Sequence, residues 1–342
     1  MSNSQNENTK KRPYLVIDGF NNFIRHYLVN PSVSTNGEPI GGVVGFIRTL
    51  NHLVDLFAPE RIYVVWEAGG GSARRKKMFP QYKANRSKLD SHTIITRKES
   101  GLKAELRLDQ QTKIKQITML TKFLASTPVC QVYVKGTEAD DIVAYIAKDK
   151  FGHNKNIRKV IVSGDKDFYQ LLENPSIEIY EPQTRKIWTG QKVKNEIGIA
   201  PNNFCLAKAL SGDASDNVPG IKGVGFKTLI KRFENFSDET KDFTMNEIIE
   251  ESQKRIQEKS KLKLYENIAQ SKNLIDRNWK LMYLSTSTMS AFEIQKIDGV
   301  IDNFVPTHNK FEMIKTISAN GIAIPFNFDS LFEKLKKYLT YT

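Results

Sequence analysis

Four short β-rich runs, at residues 14–18, 61–67, 129–134 and 159–165, are separated by longer stretches whose apolar residues recur every three or four positions, at 42–57, 112–126 and 138–150. Strands that alternate with amphipathic helices build a mostly parallel sheet with helices packed on its faces. This places an α/β domain at about residues 13–200. From 201 onward strand signals fade and helical spacing takes over, at 203–210, 226–233 and 245–270, so residues 201–280 form a helical region. Residues 281–342 mix short apolar runs with Asn and Thr; they either stand apart or pack back on the sheet. No internal repeat of solenoid period is present.

The chain has 342 residues, enough for about two domains with a well-buried core. No run of about 18 apolar residues occurs, so no membrane-spanning helix is expected. The two cysteines, Cys130 and Cys205, form no CxxC pair, which argues against a disulfide framework or a zinc knuckle and favours a reducing, cytoplasmic setting. Residues 1–12 are polar and Asn/Ser-rich where a secretory signal needs an apolar centre, so they are expected to be a disordered tail and export is not supported.

Lys and Arg number 51 against 38 Asp and Glu, a net charge of +13 that favours a polyanionic partner, most often nucleic acid. The charge is concentrated. Between Gly69 and Lys115 thirteen basic residues face four acidic ones, +9 of the +13, behind a flexible Gly69-Gly70-Gly71 entry. A solvated surface insertion is one reading; a basic element that contacts phosphates accounts better for the concentration.

In an open parallel sheet the ligand site lies outside the carboxyl ends of the strands. Asp18, Glu67 and Asp165 close three of the predicted strands, and Glu138, Asp140 and Asp141 follow the fourth within a few residues. Asp167 comes two residues after Asp165, and Asp213 and Asp216 lie in a Gly/Ser loop after a helical run. Any one of them could cap a helix or form a turn. Nine carboxylates at one edge repel one another unless cations neutralise them. The five histidines, at 26, 52, 92, 153 and 308, show no paired spacing, so oxygen ligation points to Mg²⁺ or Mn²⁺ rather than zinc. Carboxylate-held metal pairs suit in-line attack of water on a phosphodiester.

Other phosphate devices are missing. Gly223-Val224-Gly225-Phe226-Lys227-Thr228 falls short of a P-loop, and neither a GxSxG elbow nor a Cys/His nucleophile arrangement is found. Residues 217–225, Asn-Val-Pro-Gly-Ile-Lys-Gly-Val-Gly, read as a Gly-rich hairpin between two helical segments. It is either an ordinary helix-helix turn or a set of amides that holds a duplex phosphate.

Together these stretches resemble the structure-specific 5′ nuclease family: flap endonucleases, phage 5′ to 3′ exonucleases and the amino-terminal nuclease domain of bacterial DNA polymerase I. The matching segments are Val16-Ile17-Asp18-Gly19-Phe20-Asn21, Asn36-Gly37-Glu38-Pro39, Tyr82-Lys83-Ala84-Asn85-Arg86, Gly136-Thr137-Glu138-Ala139-Asp140-Asp141, Ser163-Gly164-Asp165-Lys166-Asp167 and residues 210–227, in order across about residues 14–235. The resemblance implies a PIN-like (Rossmann-like) α/β fold with a basic helical arch at 69–115 and a helical helix-hairpin-helix region. It implies two Mg²⁺ ions, with Mn²⁺ as a substitute: one near Asp18, Glu67, Glu138, Asp140, Asp141 and Asp165, the other near Asp165, Asp167, Asp213 and Asp216. Lys83 and Arg86 match the catalytic basic pair at the base of the arch. Arg75 and Tyr82 match arch residues that contact DNA, the second by stacking on a base, and Lys208 resembles the family's Lys before the carboxylate loop. Gly220, Lys222, Gly223, Gly225 and Lys227 correspond to the hairpin that grips duplex DNA and often a K⁺.

One departure is Trp66-Glu67-Ala68 where the family has Phe-Asp-Ala, a carboxylate longer by one methylene. No polymerase domain follows, as in the free-standing phage enzymes. The implied function is a monomeric, Mg²⁺-dependent 5′ to 3′ exonuclease and flap endonuclease. It acts on 5′ flaps, nicks and 5′ ends of DNA, and on RNA primers in RNA–DNA hybrids, in the cytoplasm of a bacterium or a phage-infected host. A single-strand binding protein or another replication protein is the implied partner, and no membrane is involved. The alternatives are a PIN-like endoribonuclease and a noncatalytic helix-hairpin-helix DNA-binding protein.

Overall fold

The computed structural model describes residues 11–85, 93–99, 102–154, 156–322 and 327–341. Most of the expected tail and Arg86 lie outside them. The chain runs from β1 (Tyr14–Asp18) through α1 (Gly19–Val29) and α2 (Gly41–Phe57) to β2 (Arg61–Val65). There follow α3 (Ala73–Met78), the strands β3 (Thr93–Glu99) and β4 (Leu102–Leu108), α4 (Gln110–Ala125) and β5 (Cys130–Val132). Next, α5 (Ala139–Ala144) continues into a π-helical turn (Tyr145–Lys150), and β6 (Lys159–Val162) into a 3-10 turn (Lys166–Glu173). The strands β7 (Ile177–Glu181) and β8 (Lys186–Trp188) and the helix α6 (Gly190–Ile197) complete this part.

The sheet order is β5-β2-β1-β6-β7-β8. All pairings are parallel except β7–β8. Every residue of β1 is buried, as a central strand covered on both faces requires. Strand alternation sends Tyr14 and Val16 into one core and Leu15 and Ile17 into the other. β7 and β8 do not stand out in the sequence because Glu178 and Glu181 interrupt the apolar run of Ile177-Glu178-Ile179-Tyr180-Glu181 and β8 is only three residues long.

The basic insertion departs from the expected helical arch. Beyond α3, β3 and β4 pair antiparallel from Thr93↔Leu108 to Glu99↔Leu102. The run Thr93-Ile94-Ile95-Thr96 is β-branched throughout, which favours a strand over a helix.

After residue 200 come α7 (Pro201–Ser211), a two-residue ribbon of β9 (Gly212–Asp213) and β10 (Val218–Pro219), and α8 (Phe226–Arg232). These are followed by α9 (Met245–Gln257), α10 (Lys263–Ala269), α11 (Lys272–Met282), α12 (Ala291–Asp302), α13 (Lys310–Ala319) and α14 (Phe328–Tyr338). The helical stretch expected at 245–270 is interrupted: Lys259 is left-handed at φ 59°, and Glu258-Lys259-Ser260-Lys261 has no apolar side chain to bury. The chain's last helices pack back on the sheet. Leu331, Phe332 and Leu335 share a core with Leu15 and Ile17, and the Thr340 amide donates to the Glu60 carbonyl at 2.9 Å. Among the described residues no helix is long and apolar enough to cross a membrane.

Candidate active site

The sheet's carboxyl edge positions the acids through caps. Asp18, the last residue of β1, caps α1 by accepting the Asn21 amide at 3.0 Å, and its other oxygen accepts from Ser163 Oγ at 3.2 Å. Asp165 caps the 3-10 turn by accepting the Asp167 amide at 2.8 Å, while its own amide donates to Ser163 Oγ at 3.1 Å. Ser163 therefore ties the two acids together. Glu67 stands past the end of β2, and its longer side chain accepts the Ala139 amide at 2.9 Å, at the start of α5. The extra methylene lets this residue cap a neighbouring helix.

These acids open on a cleft of about 920 Å³. Asp18, Glu67, Asp140 and Asp165 line it, Lys76, Lys83 and Lys113 stand at its basic side, and Phe20, Ile24 and Leu28 of α1 form an apolar shelf. Burial and mutual repulsion mark the group electrostatically. Asp18 is raised to about 6, by burial first, against the Asn21 amide bond, with Asp165 adding repulsion. Asp140 is raised well above the ordinary carboxylate range by burial, with Lys83 opposing and Asp165 and Asp18 reinforcing. Asp165 is also raised by burial, against the nearby Lys208.

Protein cations hold the remaining acids. Lys83 Nζ lies 2.8 Å from Glu138 and 4.0 Å from Asp216. Its amide donates to the Asp216 carbonyl at 2.9 Å, and its backbone is left-handed at φ 56°. Lys208 contacts Asp167 and lies 2.6 Å from Asp213. Burial would raise Asp213, but Lys208 and the bonds from Ser215 draw it down to about 2. Among the described residues no three Asp, Glu, His or Cys side chains converge into a ready cation cage.

Four expected roles are corrected. Asp141 does not line the cleft: it is buried against Arg75, at 2.7 and 2.8 Å, and Arg74, at 3.3 Å. Successive helical residues point about 100° apart, so when Asp140 faces the cleft Asp141 cannot. Arg75 is 3% exposed and turned inward, away from any DNA phosphate. Tyr82, also 3% exposed, has its hydroxyl 3.3 Å from Glu138 and offers no face for stacking on a base. Lys208 is likewise largely buried on its two acids rather than presented to a phosphate. Arg86 lies outside the described residues.

Sequence reasoning left out Ser163, Asn21 and Asn85 as site residues. Asn21 accepts from the Gly164 amide at 3.5 Å, and Asn85 donates to the Ala214 and Ser215 carbonyls at 3.0 and 3.3 Å, joining the insertion's base to the carboxylate loop. Each falls within a motif quoted above, but an uncharged side chain carries no signal of its own.

The hairpin lies between α7 and α8. Gly220 packs so close to Ser211 that a Cβ would meet its carbonyl oxygen at 2.1 Å, so only glycine fits. Lys222, Gly223 and Lys227 are exposed, Gly225 is half-buried, and Gly223 is left-handed at φ 82°. Asn267 holds the Lys222 carbonyl at 3.0 Å.

Residues 13–198 match the family described as 5′-3′ exonuclease, N-terminal resolvase-like domain. A 5′-3′ exonuclease of Aquifex aeolicus is 32% identical over 216 residues, 63% of this chain and 66% of that one. A 5′-3′ exonuclease of Buchnera aphidicola is 28% identical over 235 residues, 67% of this chain and 74% of that one. The bacteriophage T5 flap endonuclease, solved as a pseudo-enzyme-product complex with DNA and metal ions, is similar in fold at a TM-score of 0.60 and 19% identity, covering 95% of this chain and 100% of that one.

Proposed function

The chain belongs to the 5′-3′ exonuclease family, and from that premise we propose that its carboxylate cleft hydrolyses phosphodiesters at the 5′ ends, nicks and 5′ flaps of DNA, and in RNA primers paired to DNA. One observation carries the reading: Asp18, Asp140 and Asp165 meet in a cleft flanked by Lys76, Lys83 and Lys113.

The residues fit divalent cations. The donors are all oxygens, burial raises three of the carboxyls together, and Glu138 Oε1 is buried without a hydrogen-bond partner. We assign one ion to Asp18, Glu138, Asp140 and Asp165, and another to Asp167, Asp213 and Asp216, with Glu67 holding the start of α5. When bound, a pair of Mg²⁺ ions, or Mn²⁺ in their place, acidifies water and neutralises the charge of the leaving oxygen.

The chain's own groups do the rest. Lys83, fixed at both its amide and its ammonium, places positive charge where charge develops on the scissile phosphate, and Arg86 is assigned beside it. The shelf of Phe20, Ile24 and Leu28 receives a base of the reacting strand. Lys208 holds Asp167 and keeps Asp213 ionised. The hairpin from Gly220 to Lys227 grips duplex phosphates and takes a K⁺ on its carbonyls. The enzyme acts as a cytoplasmic monomer alongside single-strand binding protein during replication.

The deciding experiment is cleavage of an end-labelled 5′ flap with Mg²⁺ and with chelator. Release of the flap only with the cation supports the reading. Cleavage of RNA alone makes the protein an endoribonuclease, and tight DNA binding without cleavage makes it a noncatalytic binding protein.

A further inference from the structure

A second groove, of about 560 Å³, lies on the same carboxyl edge of the sheet, between α1, α2 and the β7–β8 turn. Arg25 and His26 from α1, Arg48 and His52 from α2, and Arg185 from the turn face it, and among the described residues no carboxylate lines it. The closest acid in sequence, Glu181, receives bonds from Thr184 Oγ1 at 2.7 Å and Trp188 Nε1 at 3.1 Å, although its charge still reaches Arg25. Arg25 Nη1 is buried with no hydrogen-bond partner among the described residues.

The histidines are spoken for: His26 Nε2 lies 2.9 Å from Thr49 Oγ1, and His52 Nε2 lies 3.0 Å from the Tyr180 hydroxyl. Burial, then Arg25 and Arg48, push His26 down to about 4, so His26 adds no charge at neutral pH while the three arginines keep theirs. Arg185 adopts a left-handed backbone at φ 55°, an unfavourable conformation for a side chain other than glycine, and stands at the groove nonetheless.

The groove adjoins the cleft. One side of α1 gives Phe20, Ile24 and Leu28 to the cleft, and another gives Arg25 and His26 to the groove. Gln183 of the groove and Asn21 of the cleft approach the same spot above Gly164, 3.9 and 4.0 Å from where its Cβ would stand. Three guanidiniums with no carboxylate between them repel one another, and their planar forks match the oxygens of a phosphate.

We propose that this groove binds a backbone phosphate of the nucleic acid held in the carboxylate cleft, at a position removed from the reacting one. The proposal rests on the cleft being a nuclease centre. A free phosphate offers the same oxygens, and the test separates the two sources.

Arg48→Gln/Arg185→Gln is compared with wild type and with Arg48→Lys/Arg185→Lys in binding a 5′-flap DNA across a range of salt, without divalent cations. The Gln pair is expected to flatten the salt slope by about 0.9 for each phosphate it no longer neutralises, and the Lys pair to keep most of it. Substrates carrying one methylphosphonate at a time then locate the phosphate: one position weakens wild type and has no further effect on the Gln pair. An unchanged slope with an unaltered melting temperature overturns the proposal. So does inorganic phosphate that binds wild type but not the Gln pair and is not displaced by DNA. Cleavage of the same flap by wild type with Mg²⁺ is measured alongside. If wild type itself fails to cleave, the nuclease reading fails, while the salt slopes still report on the groove.

Discussion

Arg75 and Asp141 meet at two points inside the protein, Nη1 to Oδ2 at 2.7 Å and Nη2 to Oδ1 at 2.8 Å, while Arg75 Nε donates to the Leu281 carbonyl at 2.8 Å. One guanidinium thus ties α3 at the base of the insertion to α5 and to α11. Removing Arg75 leaves the buried Asp141 with Arg74 alone, at 3.3 Å, and takes away a cation 3.2 Å from the buried Glu138. Arg75→Met is expected to lower stability by roughly 3–5 kcal/mol, and Arg75→Met/Asp141→Leu to recover much of that loss, as read by denaturant unfolding. A single variant as stable as wild type would contradict the buried pair.

Asp165→Asn should abolish turnover and leave DNA binding intact or tighter. It removes a carboxylate from the cation site proposed at Asp18, Glu138, Asp140 and Asp165 and leaves the basic surface unchanged. Flap cleavage and filter binding measured on the same preparation check this, and near-normal cleavage would displace Asp165 from the site.

Asp18 governs a pH dependence whose sign is fixed. Its folded value, about 6, exceeds the ordinary 3.8, with burial the main cause. The folded protein therefore holds more protons than the unfolded chain between these values, so the contribution is full below about 4 and is lost as pH rises through about 6. Without divalent cations, Asp18→Asn should stabilise the protein by roughly 1–3 kcal/mol at neutral pH and have little effect under acid conditions. Saturating Mg²⁺ should reverse the ranking, because ligand at about 100 times its Kd adds about 2.7 kcal/mol to a protein that retains its site. Melting curves at acid and neutral pH, with and without Mg²⁺, test both halves.

Lys83→Ala should slow single-turnover cleavage by more than about tenfold, or roughly 1.4 kcal/mol, with little change in affinity. The ammonium lies 2.8 Å from Glu138, at the carboxylate centre, and an interaction made mainly in the transition state shows in rate rather than binding. A smaller drop would make Lys83 a positioning residue.

Lys222→Ala/Lys227→Ala should flatten the salt dependence of duplex binding by about 0.9 for each phosphate left without its lysine. Both side chains are exposed at the hairpin. An unchanged slope would move duplex binding elsewhere.

The alternation of strands and helices was legible because the central strands carry short runs such as Leu15-Val16-Ile17, Ile62-Tyr63-Val64-Val65 and Val160-Ile161-Val162, and Asp18 was legible because it ends one. The partners of the acids were not. Asp140 and Asp141 are adjacent in sequence, and only the helix's rotation decides that one faces the cleft and the other Arg75. Arg75 and Tyr82 read as surface residues because they sit in a basic stretch, yet bonds to Leu281 and Glu138, remote in the chain, draw them inside. The insertion's strands were hidden by its charge, which a helix can carry as readily as a hairpin.

The sharing of one core by α14 and β1 has a kinetic consequence during synthesis. Leu331, Phe332 and Leu335, which share that core, are made more than 300 residues after Leu15 and Ile17. At about 5–20 residues per second that interval is roughly 16–60 s. The parallel partner β6 is also distant in sequence, and such pairing is slow to form. A translation product stalled before α14 would therefore lack part of the core that Leu15, Ile17, Val160 and Val162 share, so aggregation during expression should depend on whether α14 is made.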